Sequence, residues 1–212
     1  MDALFIAELN ERLFTHFTGG VWRAPHSLRL MPVFRVSGAR FGQIACADAR
    51  DLERACVGVR AAGEGLVPEA LEPALLARAG AISRLRQEEG FDAEPVVSMP
   101  PMPPLPQLEG TGPWVLMSSA AMPVSNLVAV LIAGLGAGMI WKPAPGAAAS
   151  AHLIMDIVGP LSAGRLAMVQ GDHETGAALA GMGPMIWASA NAPPAALPPP
   201  ALTLGAGSLV RP

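Results

Sequence analysis

Trp114-Val115-Leu116-Met117, Gly138-Met139-Ile140-Trp141-Lys142, Leu166-Ala167-Met168-Val169 and Pro184-Met185-Ile186-Trp187-Ala188 are short apolar runs that recur through the second half of the chain. Runs that stay hydrophobic at nearly every position fit strands covered on both faces, as in parallel sheets. Between them lie the apolar segments Val124 to Leu135, Ala147 to Val158 and Glu174 to Ala180, which read as helices. Alternation of this kind predicts an α/β fold, a doubly wound parallel sheet with right-handed crossovers. Ligands of such sheets sit beyond the carboxyl ends of the strands, so a site is expected in the loops after Met117, Lys142, Val169 and Ala188.

Outward from these runs, Gly110 to Trp141 carries no charge, which on length alone would pass for a membrane span. Pro113, Ser118, Ser119, Pro123, Ser125 and Asn126 interrupt it, so strand, helix and strand buried in a protein core is the better reading. Beyond Glu109 the charged residues are Lys142, Asp156, Arg165, Asp172, Glu174 and Arg211; all others lie upstream. The 212 residues are 51% hydrophobic and 15% charged, which excludes disorder over most of the length. A net charge of -3 gives no long-range pull towards phosphate backbones or anionic lipid, so neither nucleic acid nor membrane is expected as a partner. Cys46 and Cys56 cannot make a disulfide framework, and Met1 to Thr18 lacks the basic and apolar regions of a secretory signal. A cytoplasmic location is the expectation.

Residues 1–90 read as a helical and hairpin layer of the same domain, 91–113 as a proline-rich connector, and 114–212 as the α/β core with a proline-rich C-terminal segment. Asp2 is placed to cap a helix with Leu4, Phe5, Leu9, Leu13, Phe14 and Phe17 on one face. Val33 to Ile44, with Gly38 and Gly42, predicts a hairpin. Asp48 opens a helix carrying Leu52, Cys56 and Val59 on one side, and a second helix runs from Pro68 through Leu71, Leu75, Leu76, Ile82 and Leu85 to about Gln87. Pro100 to Pro106 must be extended. A rigid crossover is its expected role, with a PxxP ligand for a partner's aromatic groove as the other reading.

Several of these segments resemble the aldehyde dehydrogenase superfamily. The resemblance is carried by Asn126 to Ala129 through Trp141-Lys142-Pro143, by Gly171-Asp172-His173-Glu174-Thr175-Gly176-Ala177-Ala178-Leu179, and more weakly by Leu202 to Ser208. Gly19-Gly20-Val21-Trp22-Arg23 and the helix of Asp48 to Ala62 add to it upstream. It implies a Rossmann-like sheet of the aldehyde dehydrogenase type with N-terminal covering helices. It extends only over a family member's amino-terminal, nucleotide-binding half, and Pro212 comes before the place where the catalytic domain and its cysteine nucleophile would begin.

What the resemblance implies can be tested position by position. Aldehyde oxidation needs a thiolate nucleophile, a carboxylate base and a side-chain amide at the oxyanion. Ser119 stands where the family's amide-bearing asparagine falls, and Thr203 where its glutamate base falls. Cys46 and Cys56 precede the α/β repeat and read as buried structural thiols. Lys142, Gly171 and Gly176 match vestiges of the cofactor site. The ribose-binding glutamate, however, is replaced by Pro145, and a glycine of the Gly171 to Gly176 turn by His173. The phosphate loop corresponds to Trp187-Ala188-Ser189-Ala190-Asn191, after which Pro193, Pro194, Pro198, Pro199 and Pro200 oppose the helix that should meet the pyrophosphate.

His16, His26, His152 and His173 show no metal-ligand spacing; His173 reads as a surface loop residue, and Asp172 and Glu174 as favouring the helix that follows them. The expectation is a non-catalytic aldehyde-dehydrogenase-like protein, a structural or regulatory subunit bound to a catalytic dehydrogenase or to itself, with no cofactor. The alternative is a component that still binds NAD(P) and contributes to aldehyde oxidation.

Overall fold

The protein is described here from a computed structural model that covers residues 12–60, 68–92, 100–106, 112–195, 197–205 and 208–210. Five parallel strands form its centre: β6 (Trp114–Ser118), β7 (Met139–Pro143), β8 (Leu166–Met168), β9 (Met185–Ala188) and β10 (Leu202–Gly205), in the spatial order β10-β9-β6-β7-β8. Helices α4 (Val124–Gly134), α5 (Ala148–Val158) and α6 (His173–Ala180) make the crossovers. The chain leaves β6 towards β7 and β8 and then returns to β9 on the other side. That reversal between β6 and β9 is a topological switch point, where open α/β sheets hold ligands.

The pleat divides each strand between two apolar layers. Trp114, Leu116, Met139, Trp141, Leu166, Met168, Ile186 and Ala188 pack on α4 and α5, with Leu71, Leu75 and Ile82 from the helices outside them. Val115, Met117, Ile140, Ala167, Val169 and Met185 face the opposite way, onto Leu179 and Ala180 of α6 and Leu52, Ala55, Cys56 and Val59 of α1 (Ala49–Arg60). Both faces are therefore covered, which is why the strands read as unbroken hydrophobic runs. Asp48 starts α1 as expected, its Oδ1 accepting the Arg50 and Asp51 amides at 2.9 and 3.0 Å.

The amino-terminal layer departs from expectation. Residues 1–11 lie outside the described part, but Leu13, Phe14 and Phe17, assigned from their spacing to a helix, lie in strands. These are β1 (Arg12–Phe14) and β2 (His16–Thr18). β2 pairs antiparallel with β8 through Phe17 and Met168, and β3 (Val21–Arg23) pairs with β2. An uncovered β8 edge offers backbone partners that an isolated helix cannot use, and this outweighs the helical spacing of three apolar residues. Gly19 and Gly20, at φ 60° and 81°, make the two-residue turn between β2 and β3, a conformation open mainly to glycine.

The hairpin expected over Val33 to Ile44 is present as β4 (Leu30–Phe34) and β5 (Arg40–Ala45), which join β1 in a small sheet of order β1-β5-β4. The long helix from Pro68 is two helices, α2 (Pro68–Ala77) and α3 (Ala79–Glu88). Leu76 is exposed rather than packed. In the described part of the connector Leu105 is buried, and its amide donates to the Ala133 carbonyl at 2.7 Å. Leu105 thus fastens this segment to α4. A further strand, β11 (Ser208–Val210), closes the sheet antiparallel to β10.

Candidate functional site

A cavity of about 710 Å³ lies at the carboxyl ends of β6, β7 and β9, where the strand order reverses. The end of β6 contributes Met117 and Ser118, that of β7 Lys142, and that of β9 Trp187. The loops beyond them supply Ser119, Pro145, Asp172 and Ser189, so each expected loop position reaches the cavity. Gly176 and Ala177 of α6 form its floor, and Pro194 and Leu197 close the far side. One wall had no sequence signal. Met31, Pro32, Val33 and Phe34 come from β4, brought there by a hairpin that neither motif nor periodicity connects to the parallel strands.

Lys142 dominates the electrostatics. It is 8% exposed, and Nζ donates to the Pro143 carbonyl at 3.5 Å, a long hydrogen bond. Burial lowers its pKa to about 8, while the neighbouring Asp172 and Cys46 pull the other way. Asp172 is engaged elsewhere. Its Oδ1 accepts the Thr175 amide at 3.1 Å, capping α6, and its Oδ2 pairs with Arg29, which also reaches Glu174 at 2.8 Å. Burial alone would raise the Asp172 pKa, but the Thr175 amide and the Arg29 guanidinium together hold it below the ordinary carboxylate value. Asp172 thus acts as the helix cap its position suggested. Arg29, its charge partner, was not singled out from sequence.

Of the residues matched to a cofactor site, Lys142 and Gly176 lie side by side in the cavity lining and Gly171 stands apart. A Cβ on Gly176 would lie 3.5 Å from Lys142 Cε, an ordinary contact. A Cβ on Gly171 would come within 2.3 Å of Thr175 Oγ1, so this glycine serves the close packing of the α6 cap. His173 is exposed at the mouth. His152 is remote from it, stacked on Trp22 with ring centroids 3.8 Å apart. Trp187, with Nε1 donating to the Asn191 carbonyl at 2.6 Å, borders the cavity, whereas Trp141 is buried and donates to Ser118 Oγ at 2.9 Å.

The thiols are buried too. Burial raises both Cys46 and Cys56, with Asp172 adding to the shift at Cys46, so neither is held as a thiolate. Thr203 sits within β10 opposite Trp187.

The polar set does not fit a dinucleotide. A pyrophosphate is held by free amides at a helix N-terminus. At α5 those of Ala149 and Ser150 already donate to Glu89 Oε1 at 2.9 and 3.0 Å, and at α6 the Thr175 amide is taken by Asp172. No residue of α4 lines the cavity, and the described residues between β9 and β10 contain no helix. Pro145 offers no side-chain acceptor for a ribose hydroxyl. Lys142 alone fits.

A doubly wound sheet with a cavity at its switch point defines a Rossmann-like α/β fold. Among solved structures this fold is that of aldehyde dehydrogenases. A Burkholderia cenocepacia protein assigned as an aldehyde dehydrogenase matches at 22% identity and a TM-score of 0.62, over 81% of this chain and 46% of its own. The Delta-pyrroline-5-carboxylate dehydrogenase of Mycobacterium tuberculosis matches at 16% identity and 0.62, over 84% and 42%. Aldehyde dehydrogenase C of Pseudomonas syringae, solved with NAD+ and octanal, matches at 17% identity and 0.60, over 82% and 44%. The chain spans less than half the length of these proteins. No protein-family model and no curated protein matches its sequence. No helix among the described residues is long and apolar enough to cross a membrane, and none of their His, Cys, Asp and Glu side chains gather in threes as metal ligands would.

Proposed function

We propose that this chain is a non-catalytic aldehyde-dehydrogenase-like protein that acts as a structural or regulatory subunit, bound to an active dehydrogenase. The observation that carries this reading is the composition of the switch-point cavity. It keeps the position and the lysine of a ligand site, while its carboxylate, Asp172, is engaged by Arg29 and the Thr175 amide, the nearby Cys46 thiol is raised by burial, and the Ala149 and Ser150 amides are held by Glu89. Residues 1–90 and 114–212 are layers of one unit in this reading, with 91–113 as the strap between them.

The outer face of β4 supports a docking role. β4 is an edge strand of the small sheet, and Leu30 on it is 48% exposed, with Leu28 before it at 96% and Val36 after it at 72%. A bare edge strand with contiguous apolar side chains is a surface that proteins ordinarily cover. The test is the native mass of the untagged protein and the identity of what purifies with it. A stoichiometric dehydrogenase is the expected result; a lone monomer overturns the subunit reading.

The position of Lys142 beside Gly176 in the cavity favours a second reading, an NAD(P)-binding component that contributes to aldehyde oxidation. Turnover of an aldehyde with NAD+ by the chain and its companion, lost on Lys142→Met, would support it. Turnover unchanged by that substitution would remove it.

A further inference from the structure

The cavity carries one fixed positive charge among the described residues that line it, and that charge is buried. Among the described residues Lys142 has no carboxylate oxygen within ion-pair distance, and its only hydrogen-bond acceptor is the Pro143 carbonyl at 3.5 Å. Asp172, the one anionic residue of the lining, is occupied by Arg29 and the Thr175 amide. Buried ions are ordinarily paired, so an ammonium left with one long hydrogen bond and an open cavity in front of it calls for an anion.

The remaining walls say what kind. Met31, Val33, Phe34, Met117, Trp187 and Leu197 are aliphatic, thioether and aromatic surface around a volume suited to a small organic molecule. A phosphate or a dicarboxylate brings charge that a single lysine beside Asp172 cannot match, and the Ala149, Ser150 and Thr175 amides of the neighbouring helices are already taken. A neutral apolar molecule would leave the ammonium unpaired.

We infer that the switch-point cavity is a binding site for an amphipathic monocarboxylate, its carboxylate on Lys142 Nζ and its aliphatic body against Met117, Trp187 and the β4 wall. This goes beyond the subunit reading and does not rest on it. A chain with no partner would still bind, and a subunit whose cavity takes no carboxylate would still be a subunit.

The charge state supports the pairing. With a pKa lowered by burial to about 8, Lys142 is mostly protonated at neutral pH, and a bound carboxylate would hold the proton more firmly. Of the other groups facing it, burial raises the Cys46 thiol, Asp172 is held below the ordinary carboxylate value and stays ionised, and His173 sits exposed in the cavity lining. Affinity for a carboxylate should therefore fall as the pH rises through the Lys142 transition.

The test is calorimetric titration of the full chain with sodium decanoate, decanol and NAD+ at pH 7, repeated at pH 9.5, alongside Trp187 fluorescence. Decanoate is expected to bind once per chain, about tenfold or more tighter than decanol, and to weaken by about tenfold at pH 9.5 while decanol does not change. Lys142→Met should erase the preference for decanoate and keep decanol binding. Trp187→Phe should abolish the fluorescence response while the calorimetric signal persists. Equal affinity for acid and alcohol in the wild type overturns the proposal, as does binding at many equivalents, a decanoate affinity flat in pH, or a fluorescence response that survives Trp187→Phe. Displacement of decanoate by NAD+ at lower concentration than decanoate itself requires would reassign the cavity to the nucleotide. The wild-type arms decide the matter even if a variant fails to fold.

Discussion

The two sides of the crevice differ in kind. On the β6 and β7 side, strands covered on both faces end in Ser118 and Lys142, pinned by the Trp141 to Ser118 hydrogen bond and by ladder pairing along five residues. On the β9 and β10 side, β9 leads into a run of turns and prolines, and only two register pairs join it to β10. A ligand site needs both sides, one to anchor and one to wrap. Here the β6 and β7 side is an ordered anchor and the β9 and β10 side is turns and prolines, and a fold does not by itself carry a chemistry.

The comparison breaks first under core substitution. Trp141→Ala on the anchored side removes a buried ring and its hydrogen bond, and should cost about 3–5 kcal/mol in urea unfolding. Pro198→Ala, in the exposed loop of the other side, should stay within about 0.5 kcal/mol. Equal losses at both places would mean that the proline segment is as much a part of the core as β7 is.

A second expected effect concerns Lys142. Its folded-state pKa of about 8 lies below the unfolded value of 10.5, so the group's contribution to stability is present above pH 10.5 and lost as pH falls to about 8. Stability of the unliganded wild type should therefore rise from pH 8 to 10.5 by on the order of 3 kcal/mol relative to Lys142→Met. Parallel profiles for the two proteins would show that the ammonium is better solvated than its burial implies.

Smaller effects follow at the rim and beneath the sheet. Asp172→Ala removes the α6 cap and the Arg29 partner, and should cost about 1–2 kcal/mol in thermal or urea unfolding. His16 lies buried, its Nδ1 accepting the Gln170 amide at 3.2 Å, and burial lowers its pKa against the opposing pull of Asp51. The unfolded chain takes up this proton more readily, so stability should decline as pH falls below 6.5, and His16→Gln should reduce that slope.

Much of this molecule was legible in the sequence because its strands are buried on both faces. From Trp114 to Ala188 hydrophobicity and secondary structure carry the same information, and the elements appear within a residue or two of expectation. The four loops of the crevice followed from that topology, and Lys142 was singled out by the resemblance to the aldehyde dehydrogenase superfamily. Legibility failed where pairing was non-local. Leu13, Phe14 and Phe17 are spaced like a helix face, but β8 needed an edge partner. The β4 wall of the cavity reaches the site through a separate small sheet, so no local pattern could announce Met31 or Phe34. Arg29 was equally hidden, since its role exists only once Asp172 is folded against it.

The central claim is that the anchored half of the crevice survives without a pyrophosphate site. Titration of the untagged full chain with NAD+ at pH 7, followed by calorimetry and by Trp187 fluorescence, tests it most directly. The account predicts no saturable heat and no quenching up to millimolar nucleotide. Saturable one-to-one binding in the micromolar range, lost in Lys142→Met, would contradict it and make the crevice a working dinucleotide site.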